Sequence, residues 1–315
     1  MSERVAAVDC GTNSIRLLIA DSGADGRLTD VHREMRIVRL GQGVDATGSL
    51  APEAIERTRV ALADYVALMR EHGVAKVRMV ATSATRDAAN REDFFAMARA
   101  ELGTVVAGAQ AEVITGDEEA RLSFTGAVGE LSSAAGPFVV VDLGGGSTEL
   151  VLGDGDGVRA AFSADIGCVR ITERCLHSDP PTAEQVAAAR EFAAERLTEA
   201  FAKVPVDQAH TWVGVAGTMT TLAAVGLRLP EYDASRVHLS ELTLDDVHGV
   251  CARLLSMSHD ERAALGPIHP GRVDVIGGGA LITEVLAEEL ARRANIGALI
   301  VSEHDILDGI ALSIA

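Results

Sequence analysis

Apolar and polar residues alternate along the chain in a way that predicts the same series of strands and helices twice. In the first half the pattern predicts three strands, a helix, a strand and a helix, with one more strand behind them. Their bounds are 5–20 for a first hairpin, then Val31–Arg39, Pro52–Gly73, Val77–Ala81, Arg91–Leu102 and Ala111–Thr115. The helix that begins at Pro52 has the clearest signal, because its apolar residues recur at three- and four-residue spacing.

The second half repeats this plan and adds further helices. Predicted strands cover Val139–Asp142, Thr148–Leu152, Val158–Asp165, Trp212–Val215 and Ala298–Val301. Predicted helices cover Val169–Leu176, Ala183–Lys203, Met219–Val225, Thr243–Ser256, Val273–Ala291 with an interruption at Gly277–Gly279, and Glu303–Ile314. At 315 residues the chain is long enough for two domains, which we place at 1–125 and 126–302.

A glycine-rich turn stands between two strands in each half. The segment VVVDLGGGSTELVLG, Val139–Gly153, has an aspartate at the strand end, three glycines and two hydroxyl residues. Glycines permit unusual backbone angles and let a ligand approach peptide N–H groups, which suits phosphate. A glycine-rich hairpin without a ligand is the alternative. The segment VAAVDCGTNSIRLLIA near the N-terminus repeats the arrangement, which favours two related halves that face each other across a shared ligand.

Composition narrows the class of protein. Hydrophobic residues at 48% and charged residues at 23% are typical of a soluble globular protein. No apolar stretch approaches the ~18 residues that span a bilayer, so we expect a cytoplasmic protein without membrane contact. The four cysteines have no metal-type spacing. A net charge of −18 argues against nucleic acid and long polyanions as partners and favours short or metal-chelated substrates.

Five ordered motifs connect the chain to a known family. They are VDCGTNSIRLL, ATSATRDAAN, ITGDEEARLSF, VVDLGGGSTELV and IGCVRITERCL, which together span Val8–Leu176. Both turns resemble the phosphate loops of the actin, Hsp70 and sugar-kinase superfamily, and the five motifs resemble its exopolyphosphatase and guanosine pentaphosphate phosphohydrolase family. The resemblance implies an α/β fold of two ribonuclease-H-like (actin-like ATPase) domains. Each is a βββαβα mixed sheet with flanking helices, with the active site in the cleft between them. The closing segment 303–315 would return to the first domain, and the resemblance also suggests a homodimer.

The two turns supply candidate phosphate ligands. Backbone N–H groups and hydroxyls come from Thr12, Asn13, Ser14, Gly144, Gly145, Gly146, Ser147 and Thr148. Arg86, in the segment ATSATRDAAN, adds a guanidinium suited to phosphate oxygens, with a surface ion pair as the alternative.

Carboxylates near the turns are candidate ligands for Mg2+ or Mn2+. Asp9, Asp142 and Glu149 offer hard oxygen atoms, which suit Mg2+ held largely through water. An aspartate at a strand end also caps turns, so one such residue alone would mean little. The resemblance implies that Glu149 is functionally essential.

A catalytic base is expected in ITGDEEARLSF. Glu118 and Glu119 fall in the first turn of a helix after Gly116, where the helix dipole favours acidic residues whatever their function. The resemblance assigns the catalytic glutamate to Glu119 and leaves Glu118 as a solvated neighbour.

Two later motifs and the histidines carry weaker signals. HTWVGVAGTMTTLAA and VIGGGALIT resemble turns that hold adenosine in kinases of the superfamily, and close helix packing through glycine explains them equally well. The histidines show no metal-type spacing. His259–Asp260 and His304–Asp305 are interpreted as surface or capping pairs.

The resemblance implies an Mg2+-dependent exopolyphosphatase that releases terminal orthophosphate from inorganic polyphosphate, with guanosine pentaphosphate hydrolysis as the alternative. An ATP-dependent kinase of the superfamily and a non-catalytic nucleotide-binding protein are further alternatives. The set Asp9, Glu119, Asp142 and Glu149 argues against the non-catalytic one.

Overall fold

The computed structural model describes residues 3–23 and 26–315, and the chain divides into two compact units. Unit 1 comprises Met1–Gly126 together with Ile306–Ala315, and unit 2 comprises Ala127–Asp305. The sequence analysis set the first boundary after residue 125 and the closing segment at 303–315. Unit 1 is therefore built from two separate stretches of the chain.

Unit 1 contains a five-stranded mixed sheet with helices on both faces. Its strands are β1 (Glu3–Cys10), β2 (Ser14–Ser22), β3 (Leu28–Ile37), β4 (Lys76–Ala81) and β5 (Ala111–Val113). Its helices are α1 (Val44–Thr47), α2 (Pro52–Glu71), α3 (Ser83–Asp87), α4 (Arg91–Leu102), α5 (Gly116–Val128, which crosses the boundary) and the final helix α13 (Ile306–Leu312). The strand order is β3-β2-β1-β4-β5, with β4 and β5 parallel to β1.

The period-two pattern of β1 explains how both faces of this sheet are covered. Ala6, Val8 and Cys10 pack with α2 and α4 in one apolar cluster, whereas Val5 and Ala7 pack with α13 in another. Successive strand residues point to opposite faces, so a strand that is apolar throughout needs a helix on each side. The short closing helix supplies the second cover.

Unit 2 contains a six-stranded sheet in the order β10-β11-β9-β6-β7-β8. Its strands are β6 (Phe138–Leu143), β7 (Thr148–Asp154), β8 (Gly157–Ala164), β9 (Thr211–Val215), β10 (Ser240–Thr243) and β11 (Ala298–Val301). Its helices are α6 (Cys168–Cys175), α7 (Ala183–Lys203), α8 (Ala216–Gly226), α9 (Ala234–Val237), α10 (Leu244–Ser256), α11 (His259–Ala263) and α12 (Ile276–Ala294). Short 3₁₀ turns lie at Ser133–Ala135, Val206–Gln208 and Pro270–Arg272.

The mixed α/β architecture is as predicted, and three details differ. The antiparallel edge strand β10 was not predicted, because four residues give too little alternation to be recognised. The predicted interruption at Gly277–Gly279 is wrong, since these glycines are buried in the first turn of the continuous helix α12. The closing helix spans Ile306–Leu312, shorter than the predicted Glu303–Ile314. Among the described residues, no helix has the length and apolarity needed to cross a bilayer.

Candidate active site

The two predicted turns join equivalent strands in the two units. In unit 1, Asp9 on β1 stands directly opposite Arg16 on β2, and the Gly11 N–H donates to the Ser14 carbonyl at 3.0 Å. In unit 2, Asp142 on β6 stands opposite Glu149 on β7. There the Gly144 N–H donates to the Ser147 carbonyl at 3.1 Å. Each hairpin thus has one buried aspartate at the end of its first strand and the same backbone closure.

The turn of unit 1 is held by the segment that follows β3. The Thr12 carbonyl accepts from the Gly41 N–H at 2.8 Å, and the Asn13 carbonyl accepts from Val38 and Arg39 at 3.0 and 2.8 Å. Thr12 is 8% exposed. These bonds fix the predicted phosphate ligands Thr12, Asn13 and Ser14 in one compact turn.

Asp9 is engaged by an arginine of its own hairpin. Both Nε and Nη2 of Arg16 donate to Asp9 Oδ2, at 3.0 and 2.7 Å, and the side chains are only 7% and 18% exposed for Asp9 and Arg16. The sequence analysis did not single out Arg16. The neighbouring Cys10 thiol is held neutral, because burial, and next the charge of Asp9, raise its pKa well above the ordinary value.

Helix α3 brings Arg86 to the predicted base. Arg86 Nη1 donates to the Ile114 carbonyl and to Glu119 Oε2, both at 3.0 Å. Glu119 is 6% exposed in the first turn of α5, where its own N–H donates to the Thr115 carbonyl. Arg86 was predicted to contact phosphate or to form a surface ion pair. The structure instead gives it a largely buried carboxylate partner.

Glu118 lies in a different environment from Glu119. Its side chain is 44% exposed and accepts from Arg78 Nη2 at 2.6 Å. The two neighbouring glutamates therefore differ in burial and in partner, so Glu118 offers a matched control for any experiment on Glu119.

The turn of unit 2 rests on the start of α6. The carbonyls of Gly144 and Gly145 accept backbone N–H groups of Cys168, Val169 and Arg170 at 2.9–3.1 Å. The Gly146 carbonyl accepts from the side-chain Nε of Arg170 at 2.8 Å. All three glycine carbonyls are therefore used by one helix, which orients the peptide planes of the turn.

The structure gives a different reason for glycine in this turn from the one expected. Neither Gly144 nor its counterpart Gly11 adopts a positive φ, so conformational freedom does not explain them. Close approach does, because a Cβ atom at Gly167, just before α6, would lie 2.4 Å from the Gly145 carbonyl carbon. Small residues let the helix start and the turn pack backbone to backbone.

Two carboxylates lie side by side in unit 2. Asp142 and Glu149 are 6% and 1% exposed and are direct cross-strand partners, which places both side chains on one face of the sheet. Ser163 on β8, in turn opposite Glu149, donates its hydroxyl to Glu149 Oε1 at 2.7 Å. Ser163 was missed by the sequence analysis, because its position depends on strand register.

The predicted hydroxyl ligands of this turn are not equivalent. Ser147 is 2% exposed, and Thr148 is fully buried and donates its Oγ1 hydrogen to the Ile166 carbonyl at 2.6 Å. The Thr148 hydroxyl hydrogen is therefore used within the fold. The same hydrogen bond ties β7 to the segment that leads into α6.

The donor chemistry of unit 2 fits a divalent cation. Two buried carboxylates in opposed register repel each other unless a cation or proton compensates them, and oxygen ligands suit Mg2+ or Mn2+. Asp9 fits this role less well, because Arg16 already takes its Oδ2 atom. Asp142 and Glu149 are thus the better candidate metal ligands of the three that were predicted.

The later glycine motifs are covered by protein side chains. A Cβ atom at Gly217 would lie 2.2 Å from Arg272 Nη2, and one at Gly278 would lie 2.4 Å from Thr172 Oγ1. These contacts favour the packing explanation for both motifs over an adenosine pocket. The interpretation of His304–Asp305 as a surface pair is wrong, because Asp305 is buried and His304 lies against His238. His259–Asp260 is an exposed pair at the start of α11.

Comparisons with known proteins identify close relatives. The profile of the Ppx/GppA phosphatase family matches residues 18–314. Exopolyphosphatase 2 of Mycobacterium tuberculosis is 64% identical over 99% of this chain and 98% of its own length. A bifunctional 3-dehydroquinate synthase/phosphatase of Fusobacterium nucleatum is 32% identical over 98% of this chain and 46% of its own length.

Solved structures agree with the fold. A crystal structure of an exopolyphosphatase-like protein has a TM-score of 0.94 and 44% identity, covering 100% of this chain and 98% of that one. The Ppx/GppA family member of Aquifex aeolicus has a TM-score of 0.80 and 35% identity, with the same coverage. The predicted fold class of two ribonuclease-H-like domains with mixed sheets is confirmed by these matches.

Proposed function

Because the chain belongs to the Ppx/GppA phosphatase family, we propose that it is an exopolyphosphatase that hydrolyses the terminal phosphoanhydride bond of inorganic polyphosphate. The observation that carries the proposal is the 64% identity, over nearly the whole of both chains, to exopolyphosphatase 2. The products are orthophosphate and a chain shorter by one phosphate.

Hydrolysis of a phosphoanhydride needs a positioned water and compensation of phosphate charge. We assign the water to Glu119, because its carboxylate is buried and fixed by Arg86 at 3.0 Å. A buried, oriented carboxylate can accept the proton of an attacking water without the reorganisation that a solvated one requires. A guanidinium has five N–H donors, so Arg86 keeps donors for a phosphate oxygen while it holds Glu119.

The carboxylates of unit 2 are assigned to the cation. Asp142 and Glu149 would hold Mg2+ or Mn2+, with Ser163 fixing one oxygen of Glu149. The bound cation would neutralise phosphate oxygens in the transition state. The backbone of Gly144–Gly146, oriented by α6, and the turn Thr12–Ser14 would contact phosphate oxygens through N–H groups.

Short chains are the proposed preferred substrate. A formal net charge of −18 repels a long polyanion more than a tripolyphosphate, because each added phosphate brings further charge into the same field. We also propose a cytoplasmic location. The homodimer expected from family resemblance stays a prediction, and light scattering on the purified protein tests it.

The decisive experiment measures orthophosphate release with Mg2+ from tripolyphosphate, long polyphosphate, guanosine pentaphosphate and ATP. We expect the fastest release from tripolyphosphate. Glu119→Gln should lower kcat by about 100- to 10,000-fold with little change in KM, because only proton acceptance is lost. Glu118→Gln is the matched control and should retain activity.

Two outcomes would contradict the proposal. Full activity of Glu119→Gln removes the assigned base. Release from guanosine pentaphosphate alone moves the substrate to the second family activity, and ADP production that requires an added acceptor moves it to a kinase.

A further inference from the structure

Two histidines and a glutamate form a cluster in unit 2 that the proposed hydrolysis does not use. Potential ligand atoms of Glu130, His238 and His304 all lie within 4.8 Å of one another. The Glu130 side chain is 57% exposed and that of His238 is 21% exposed, so solvent reaches the cluster. Its members are far apart in sequence, which is why no motif revealed it.

The side chains are already in mutual contact. His238 Nε2 lies 2.8 Å from Glu130 Oε2, and the rings of His238 and His304 are 4.8 Å apart between centroids. Ligand atoms around one tetrahedral ion are about 3.3 Å apart, so the three groups need to close by roughly an ångström or less. Exposed Glu130 can make such a movement by changing rotamer.

We propose that Glu130, His238 and His304 bind one transition-metal ion, with Zn2+ as the best-suited species and water as its fourth ligand. Imidazole nitrogen favours Zn2+, Ni2+ or Co2+, whereas the all-oxygen pair Asp142 and Glu149 favours Mg2+ or Mn2+. The protein thus has two classes of cation site with different chemistry. This site is independent of the proposed hydrolytic function.

Metal binding requires one proton to move. The Glu303 N–H donates to His238 Nδ1 at 3.2 Å, so in the metal-free structure Nε2 carries the proton that faces Glu130. Coordination through Nε2 shifts that proton to Nδ1 and breaks the long Glu303 bond. One weak hydrogen bond is exchanged for three coordination bonds.

The position of the cluster in the chain gives the ion a structural consequence. Glu130 lies just after the Gly126/Ala127 boundary, and His304 lies just before the Asp305/Ile306 boundary. A bound ion would therefore join the segment that enters unit 2 to the segment that leaves it.

A second group in unit 2 provides an internal control. His248 on α10 lies near Glu284 and Glu288 on α12. Arg190 Nη1 donates to Glu284 at 2.5 Å, and Arg190 Nη2 donates to Glu288 at 2.6 and 2.8 Å. This arginine already compensates both carboxylates, so a cation gains less there.

The test is calorimetric titration of the full chain with ZnCl2 in excess Mg2+, which occupies the oxygen sites. We expect one Zn2+ per chain. Glu130→Gln and His304→Ala should each weaken Zn2+ binding at least 10-fold, whereas His248→Ala should leave it unchanged. Co2+ in place of Zn2+ should give the intense visible absorption of a tetrahedral site, lost in His304→Ala.

Glu130→Gln alters an exposed side chain, so it keeps the test valid even if a histidine variant fails to fold. The absence of Zn2+ uptake by the wild-type chain would overturn the proposal. So would uptake that Glu130→Gln and His304→Ala leave intact, or uptake that only His248→Ala abolishes.

Discussion

The hairpins of the two units share a frame and differ in charge. Asp9 and Asp142 occupy the same position, and both turns close through the same backbone hydrogen bond. The residue opposite the aspartate is Arg16 in unit 1 and Glu149 in unit 2. The first hairpin thus neutralises its aspartate internally, and the second concentrates negative charge.

This difference indicates how a repeated element takes on two roles. The backbone geometry is a property of the turn and of the segment packed beneath it, so it is retained in both units. The charge depends on a single cross-strand position, which can change without disturbing the turn. A neutralised hairpin suits phosphate directly, whereas a dianionic one suits phosphate only through a cation.

The largest expected effect follows removal of the charge pair in unit 1. Arg16→Met should lower the free energy of unfolding by about 3–5 kcal/mol, because it leaves the buried Asp9 carboxylate uncompensated. Urea unfolding measures the loss, and Asp9→Asn in the same chain should restore part of it. Arg59→Met breaks a pair whose side chains are 41% and 60% exposed and should cost about 1 kcal/mol or less. Equal losses in the two single variants would refute the contrast.

Glu149→Gln should affect activity rather than stability. We expect kcat to fall about 100- to 1,000-fold and the Mg2+ concentration for half-maximal activity to rise, because one of two carboxylates for the cation is lost. Orthophosphate release as a function of Mg2+ measures both quantities. An unchanged Mg2+ dependence would show that Glu149 does not serve the cation.

The glycines packed against each turn should differ in tolerance. Gly167→Ala should cost about 1–3 kcal/mol, because its Cβ would meet the Gly145 backbone at 2.4 Å. At Gly41 the nearest atom is the side-chain Cγ2 of Thr12, also at 2.4 Å, which can move more cheaply. Gly249→Ala, in exposed and open helix, should stabilise by up to about 1 kcal/mol. Thermal unfolding ranks the three, and a Gly41 variant worse than Gly167→Ala would contradict this account.

The smallest effect concerns Cys10, whose counterpart in unit 2 is Leu143. Burial, and then Asp9, raise the pKa of this thiol above the ordinary 9.0, so the folded protein keeps a proton that the unfolded chain releases. Stability is therefore fully present below pH 9 and falls above it, by up to about 1.4 kcal/mol per pH unit for one thiol. Cys10→Ala should reduce that slope by this share in urea unfolding between pH 9 and 10.5. An unchanged slope would mean that Cys10 ionises in the folded state.

The sequence predicted what depends on local pattern and repetition. Helix Arg91–Leu102 and helix Ala183–Lys203 have the predicted bounds, and the aspartates of both turns were recognised because the motif occurs twice. Pairings across strands and between distant segments were not predictable. Arg86 and Glu119 are 33 residues apart, and Ser163 reaches Glu149 only through strand register.

The glycines of α12 show a different limit. Three consecutive glycines predict a helix break from propensity, yet the helix continues because α6 packs too closely for larger residues. A Cβ atom at Gly278 would lie 2.4 Å from the Thr172 hydroxyl. Tertiary contact therefore outweighed local preference.

The split composition of unit 1 has a consequence for its synthesis. Helix α13, which covers one face of the first sheet with Ile306 and Ile310, is translated after all of unit 2. At ordinary elongation rates the ribosome takes on the order of 10 to 40 s to add the intervening residues. During that interval the apolar residues Val5, Ala7 and Leu18 of the nascent sheet have no helix over them. The first unit to emerge is thus the last to be completed, and a chaperone that binds nascent apolar strands would find its site there.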